Sequence, residues 1–302
     1  MKIGLALGSG SSRGWAHIGV IEALEELGIR PAVVAGTSIG ALVGAAYAAG
    51  RLSTLKARLD SLTRLDLARF FRIGRSRSFV DTERLQDFFD QYVVPPDARI
   101  EDLPVKYAAV ATALESGREV WLTTGLVTSA IWASIALPGV FAPYWYQKHW
   151  FLDGGLVNPV PVSVCRALGA DVVIAVNLNG ELLSRYGFSG AQGTAEASRN
   201  DDWGRRISRV FHGARHKDAQ QTPAVPGFVE TIAASINIVQ ERITRSRMAG
   251  DPPDLVLMPR LAHVSLLEFY RGAEAIEEGR QAVRRMLPAI ESMLRRQGDA
   301  SV

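Results

Sequence analysis

The pentapeptide Gly36-Thr37-Ser38-Ile39-Gly40 constrains this chain more than any other stretch. Before it runs Pro31-Ala32-Val33-Val34-Ala35, short and β-branched, which predicts a buried strand. After it runs Ala41-Leu42-Val43-Gly44-Ala45-Ala46-Tyr47-Ala48-Ala49, which predicts a buried helix. A serine on a tight strand-to-helix turn has its Oγ pushed clear of the backbone, at the positive end of the helix dipole. The glycines Gly36 and Gly40 let strand and helix cross closely. Ser38 is therefore a candidate nucleophile. The alternative is a glycine-rich packing turn whose serine caps the helix.

The flanking segments extend this unit. Residues 3–7 predict a strand and 8–14 a Gly/Ser loop. Residues 15–28 predict a helix, with Trp15, Ile18, Val20, Ile21, Leu24 and Leu27 apolar and Gly28 ending it. With the strand at 31–35, the elbow at 36–40 and the helix at 39–50 this makes a β-α-β-α unit. Such units build parallel sheets with helices on both faces. Residues 52–94 read as amphipathic helix rich in arginine, 105–113 and 119–124 as two strands, and 127–136 as a helix. Residues 171–178 read as a buried strand, 228–248 as a helix, 254–258 as a last strand and 266–296 as helical. No linker or internal repeat divides the 302 residues, so a single domain over 1–302 is expected. The polar, Gly/Ser/Arg-rich stretch 180–226 is expected to be a mobile insertion or lid.

Composition narrows the function classes. Hydrophobic residues make up 47% and charged residues 22%, ordinary for a soluble globular protein. The single cysteine, Cys165, makes no internal disulfide and reads as a small core residue in a reducing compartment. A net charge of +3 permits contact with anionic surfaces without calling for nucleic acid. The apolar N-terminal run is too short for a signal peptide, and the run at 39–49 is well short of the ~20 residues that cross a bilayer. A cytoplasmic protein is expected, with peripheral contact at the inner membrane face permitted. There is no His-x-x-x-His, Cys cluster or calcium-type loop, so neither metal nor cofactor is expected.

Three segments carry the candidate chemistry. The first is the loop Gly8-Ser9-Gly10-Ser11-Ser12-Arg13-Gly14, whose small residues lead into a helix and expose backbone N–H groups able to hold an anion. In acyl transfer that anion is the tetrahedral oxygen, and one preorganised donor is worth about 3–4 kcal/mol in the transition state. Arg13 fixes the loop or strengthens its field. A dinucleotide loop is the competing reading, but the spacing has one residue too many and the strand before Ser38 ends in Gly36, not an acidic residue. The second segment is Ser38. The third is Asp153-Gly154-Gly155, a carboxylate in a glycine turn that can reach across the sheet top to the serine. A triad through His149 or His17 is the alternative to a Ser–Asp pair. The aromatic run Phe141, Tyr144, Trp145, Tyr146, Trp150 and Phe151 reads either as an acyl-channel mouth or as core packing. The arginines of 69–77 and 205–215 read as a solvated face or as head-group contacts.

Together with Arg13-Gly14-Trp15-Ala16-His17-Ile18-Gly19-Val20 and Ala136-Leu137-Pro138-Gly139-Val140-Phe141-Ala142-Pro143, these motifs resemble the bacterial patatin-like phospholipases, of the small kind related to neuropathy target esterase. The resemblance implies a three-layer α/β/α fold with a mainly parallel central sheet and a Ser38–Asp153 catalytic dyad. It also implies hydrolysis of acyl esters in lipids, phospholipids or lysophospholipids foremost, with no cofactor. A weakly active family member with a regulatory role and a soluble esterase without lipid preference are the alternatives. One departure is notable: the family commonly has Gly-Gly-Gly-x-Arg-Gly where this chain has Ser9, Gly10 and Ser11. A serine forced into the left-handed region there costs on the order of 1 kcal/mol.

Overall fold

The computed structural model describes residues 1–61, 81–180 and 228–299. The expected lid at 180–226 lies outside the described residues except for Gly180, and so do the arginines of 69–77 and 205–215.

Among the described residues eight strands form one sheet: β1 (Ile3–Leu7), β2 (Val33–Thr37), β3 (Lys106–Ala113), β4 (Glu119–Leu122), β5 (Tyr144–Tyr146), β6 (His149–Asp153), β7 (Val172–Val176) and β8 (Leu255–Leu257). Hydrogen-bonded pairing runs β5-β6-β3-β2-β1-β7-β8, with β4 also paired to β3. The run β3-β2-β1-β7-β8 is parallel throughout. β4 and β6 run antiparallel to β3, and β5 antiparallel to β6.

The helices are α1 (Ala16–Glu26), α2 (Ile39–Ala48), α3 (Leu52–Asp60), α4 (Thr82–Phe88), α5 (Val127–Ile135), α6 (Val162–Ala167), α7 (Phe228–Gly250), α8 (Gly272–Arg285) and α9 (Leu287–Asp299). Strand side chains alternate between the two faces, as the pleat requires. Leu5, Leu7, Val34, Ala109, Ile174 and Leu257 join the larger core, which also holds side chains of α1, α2, α3, α5 and α8. Ala6, Val33, Ala35, Ala108, Val173 and Ala175 join a smaller core with Val162, Val164 and Cys165 of α6. The result is the three-layer α/β/α arrangement with a mainly parallel sheet. Cys165 is a core residue whose burial pushes its thiol up to about 12.

Register along β3 positions the rest of the molecule. Val110 pairs with Trp121 of β4 and with Thr37 of β2, while Ala111 pairs with Val120 of β4 and with Asp153 of β6. A strand has two edges, so β4 occupies one, and β2 and β6 share the other. They approach head-on, β2 running parallel to β3 and β6 antiparallel, and their C-terminal ends abut opposite Val110 and Ala111.

Several boundaries differ from the sequence expectations. The second strand spans 33–37 where 31–35 is expected, so Gly36 and Thr37 are strand residues and Ser38 alone makes the turn. Residues 141–151 contain the β5–β6 hairpin, closed by Gln147 and Lys148 at φ 47° and 66°. This is the paired left-handed geometry that favours Asn-Gly, and neither residue announces it. The helical stretch 266–296 is two helices broken at Met286, and among the described residues 52–94 holds α3, α4 and a π-helical turn at Phe89–Val93.

Gly36 is fixed by close approach. A Cβ there would lie 2.3 Å from the Gly40 carbonyl oxygen, and one on Gly40 would lie 2.2 Å from that of Leu7. Both obstacles are backbone, so no side chain can swing aside. Overpacking of this kind costs about 1–3 kcal/mol. Gly36→Ala is expected to fall at or beyond the upper end of that range, read as a lowered urea midpoint with an unchanged denaturant slope.

Candidate active site

Ser38 follows β2 and precedes α2, at φ 57° and ψ −124°. That left-handed conformation is costly for serine and survives because the surroundings over-determine it. Its N–H donates to Ser134 Oγ at 2.8 Å, and that hydroxyl donates in turn to the Val110 carbonyl at 2.6 Å. Ser38 makes no side-chain cap to α2. Its Oγ instead donates to Asp153 Oδ2 at 2.5 Å, across 115 residues of chain. The helix-capping alternative for this serine is therefore not the one the fold adopts.

Asp153 ends β6 and is fully buried. Its Oδ1 accepts from the Gly155 N–H at 2.7 Å, its own N–H donates to the Ala136 carbonyl, and its carbonyl accepts from Thr112 Oγ1. Burial pushes the carboxyl up from the ordinary 3.8 to about 6, against the opposing pull of the Ser38 and Gly155 hydrogen bonds. Gly154 sits where a side chain has no room, a Cβ there falling 2.1 Å from the Val110 carbonyl oxygen, and one on Gly155 would meet the Gln240 side-chain amide.

Of the seven loop residues singled out as an anion site, Ser9, Gly10 and Ser11 line the cavity that contains Ser38 and Asp153. The other four, Gly8, Ser12, Arg13 and Gly14, are not among its lining residues. The N–H groups of Gly8 and Ser12 are taken by the Val176 and Leu266 carbonyls, and Gly14 packs against Ile39. Arg13 turns inward and is buried, its Nε donating to the Gly10 carbonyl and its Nη2 to Asn237 Oδ1, both at 3.2 Å. Because the peptide is planar and trans, a held Gly10 carbonyl aims the Ser11 N–H the opposite way. Among the described residues no group accepts from the N–H of Gly10, Ser11 or Ile39, and all three residues line the cavity. The sequence reading missed Ile39, although the residue after an elbow nucleophile is the place to look for such a donor.

The two serines that depart from the family pattern have distinct positions. Ser11 is left-handed, at φ 52°, and its Oγ donates to the Leu266 carbonyl at 2.5 Å. Ser9 keeps negative φ, and its Oγ donates to Gln240 Oε1 at 3.0 Å. Neither candidate triad histidine reaches the pair. His17 is buried, its Nε2–H donating to the Gly8 carbonyl at 2.8 Å, and burial drives it down to about 4. His149 is exposed on the hairpin, edge-on to Phe151.

The cavity, ≈ 130 Å³, is lined by apolar side chains around the Ser38–Asp153 pair, among them Leu42, Leu85, Phe88, Phe89, Ile135, Phe141 and Phe269. Within the aromatic run only Phe141 lines it. Tyr144 stacks on Trp132, and Trp145 and Trp150 form an exposed cross-strand pair with centroids 5.0 Å apart. Among the described residues no group of three or more His, Cys, Asp or Glu could hold a metal, and no helix is long and apolar enough to cross a membrane.

Comparison with known proteins agrees with the resemblance read from the motifs. A family model described as patatin-like phospholipase matches residues 5–166. The chain belongs to the patatin-like phospholipase family. An uncharacterised NTE family protein of Mycobacterium tuberculosis is 34% identical over 96% of this chain and 92% of its own length. Lysophospholipase nte1 of Emericella nidulans is 27% identical over 92% of this chain but only 17% of its own length, so it carries much besides this region. Lysophospholipase NTE1 of Yarrowia lipolytica is 35% identical over 58% of this chain and 12% of its own.

The raised carboxyl of Asp153 couples this patatin-like site to stability. Below pH 3.8 folded and unfolded chains both hold the proton, and the neutral acid is buried without charge penalty. Between 3.8 and about 6 the unfolded chain releases its proton while the folded one keeps it, so stability falls as pH rises. The loss across this window is about 3 kcal/mol, at ~1.4 kcal/mol per pH unit. Asp153→Asn is therefore expected to stabilise the fold at pH 8 relative to wild type and to lose that advantage by pH 4, measured by urea unfolding at both.

Proposed function

We propose that this protein is a serine acyl hydrolase that cleaves acyl esters of lipids, lysophospholipids foremost, with Ser38 as nucleophile and Asp153 as base. The reading rests on one observation above others: the 2.5 Å hydrogen bond from Ser38 Oγ to a buried carboxylate in the wall of an apolar cavity. An aspartate in water is a weak base for an alcohol. A desolvated one near pKa 6 matches the working pH far better, as base and afterwards as acid.

In this mechanism the Ser38 Oγ attacks the ester carbonyl carbon as its proton passes to Asp153 Oδ2. The carbonyl oxygen becomes an oxyanion facing the unpaired N–H groups of Gly10, Ser11 and Ile39, and the N-terminus of α2 adds its dipole. Collapse breaks the bond to the alcohol, and Asp153 returns its proton to the leaving oxygen. Water then repeats the sequence on the acyl-serine, Asp153 taking its proton, and releases the carboxylic acid with Ser38 reprotonated. The apolar wall of Leu42, Leu85, Phe88, Phe89 and Ile135 suits an acyl chain. The two fungal relatives are named as lysophospholipases, which supports a monoacyl lipid as substrate.

Ser38→Ala and Asp153→Asn are each expected to lose more than ~100-fold in kcat on a lysophospholipid and on a short p-nitrophenyl ester, since nucleophile and base act as one unit. A fluorophosphonate should label wild type on Ser38, seen as a mass adduct on the peptide containing it. Full activity retained by Ser38→Ala sinks the assignment. A short-ester rate equal to the long-chain rate would instead favour a soluble esterase. Because the base must be ionised, kcat/KM is expected to rise about tenfold per pH unit below about 6 and to level off above it.

A further inference from the structure

We infer that Gln240 is a substrate-contacting residue whose Nε2 hydrogen-bonds an oxygen on the alcohol portion of the ester, so that the site selects alcohols carrying an acceptor next to the scissile bond. The inference rests on the Ser38–Asp153 reading above and adds a specificity element to it.

Gln240 lies in mid-α7, is only 3% exposed, and lines the same cavity as Ser38 and Asp153. Its Oε1 accepts two hydrogen bonds, from Ser9 Oγ at 3.0 Å and from Asn179 Nδ2 at 3.1 Å. Its Nε2 has no acceptor among the described residues. An amide donor in the wall of a cavity, with no acceptor from the described residues, is open to a ligand atom.

That donor lies beside Gly155. A Cβ on Gly155 would fall 2.3 Å from Gln240 Nε2 and 2.9 Å from Asp153 Oδ1. Amide nitrogen and carboxylate oxygen therefore flank one spot, which the missing side chain leaves to the glutamine. The amide stands this way round for an electrostatic reason: reversing it would turn a carbonyl oxygen toward the carboxylate and set two acceptors against each other.

Chemistry then names the ligand atom. Asp153 must hand a proton to the leaving oxygen, so the alcohol portion of the ester lies against Asp153. The acyl chain takes the apolar wall. Gln240 Nε2, beside Asp153, faces the alcohol. It is a neutral donor, suited to a hydroxyl or ether oxygen and not to full charge neutralisation of a phosphate. A hydroxyl on the carbon next to the ester-bearing carbon, as in a monoacyl glycerolipid, places an acceptor there.

The test compares a 1-acyl lysophospholipid with its 2-deoxy counterpart, identical in acyl chain and head group. Wild type is expected to favour the hydroxylated substrate by about tenfold in kcat/KM, the size of one neutral hydrogen bond. Gln240→Met, of similar volume and without the donor, should bring that ratio close to one. Ser9→Ala removes the loop's bond to Gln240 while leaving Nε2 in place, so it should lower both rates and keep the ratio. A wild-type ratio near one overturns the proposal without any variant. So does a ratio that Gln240→Met preserves, or one that Ser9→Ala abolishes as fully, which would make Gln240 a loop anchor only. Failure of the hydrolase reading appears elsewhere, as activity surviving in Ser38→Ala.

Discussion

The meeting of β2 and β6 along one edge of β3 is the constraint on which the rest depends. Parallel pairing brings β2 up to Val110, antiparallel pairing brings β6 down to Ala111, and the two chain ends stop one register apart. Ser38 and Asp153 are simply the residues found there. Their hydrogen bond therefore requires no long side chain and little rotamer entropy, because the sheet ladder has already fixed both backbones. Val110 completes the joint. Its carbonyl receives Ser134 Oγ, which also holds the Ser38 N–H, so one residue of β3 steadies the strained elbow while its neighbour carries the carboxylate.

Burial at that joint has two consequences that pull in opposite directions. A carboxylate shut away from water weakens the fold as soon as it ionises, yet the same desolvation makes it a usable base. Two hydrogen bonds, from Ser38 and Gly155, offset part of the penalty without cancelling it. The left-handed backbone at Ser38 and at Ser11 adds local strain in the same small volume. The surrounding packing, nearly all Ala, Val, Leu and Ile of the larger core, supplies the stability against which these costs are set.

Helix α7 draws the far end of the chain into this site. Asn237 accepts from Arg13, and Gln240 accepts from Ser9, so the loop after β1 is tied to a helix more than 200 residues away in sequence. Leu266 holds the same loop from another side, taking the Ser11 hydroxyl and the Ser12 N–H. Two of these ties, to Gln240 and to the Leu266 carbonyl, are made by the hydroxyls of Ser9 and Ser11.

Much of this was legible in residues alone. The elbow, the strand before it, the helix after it, the Gly/Ser loop and Asp153 all announce themselves, because each demands a residue type that nothing else tolerates: glycine where backbones touch, serine at the turn, a carboxylate before two glycines. The parallel sheet follows from the order of those elements. The hairpin of β5 and β6 was not legible, since its turn uses Gln147 and Lys148 in conformations neither residue advertises. Gln240 and Asn237 were equally hidden. A glutamine in a long polar-faced helix looks like surface until the helix is seen to bury it, and the amide of Ile39 is signalled only by its place after the elbow serine. Local chemistry thus set what each segment could be. Which segments came to share one cavity was decided by non-local pairing along β3 and by the docking of α7, contacts whose partners lie tens to hundreds of residues apart and leave no pattern in the chain between them.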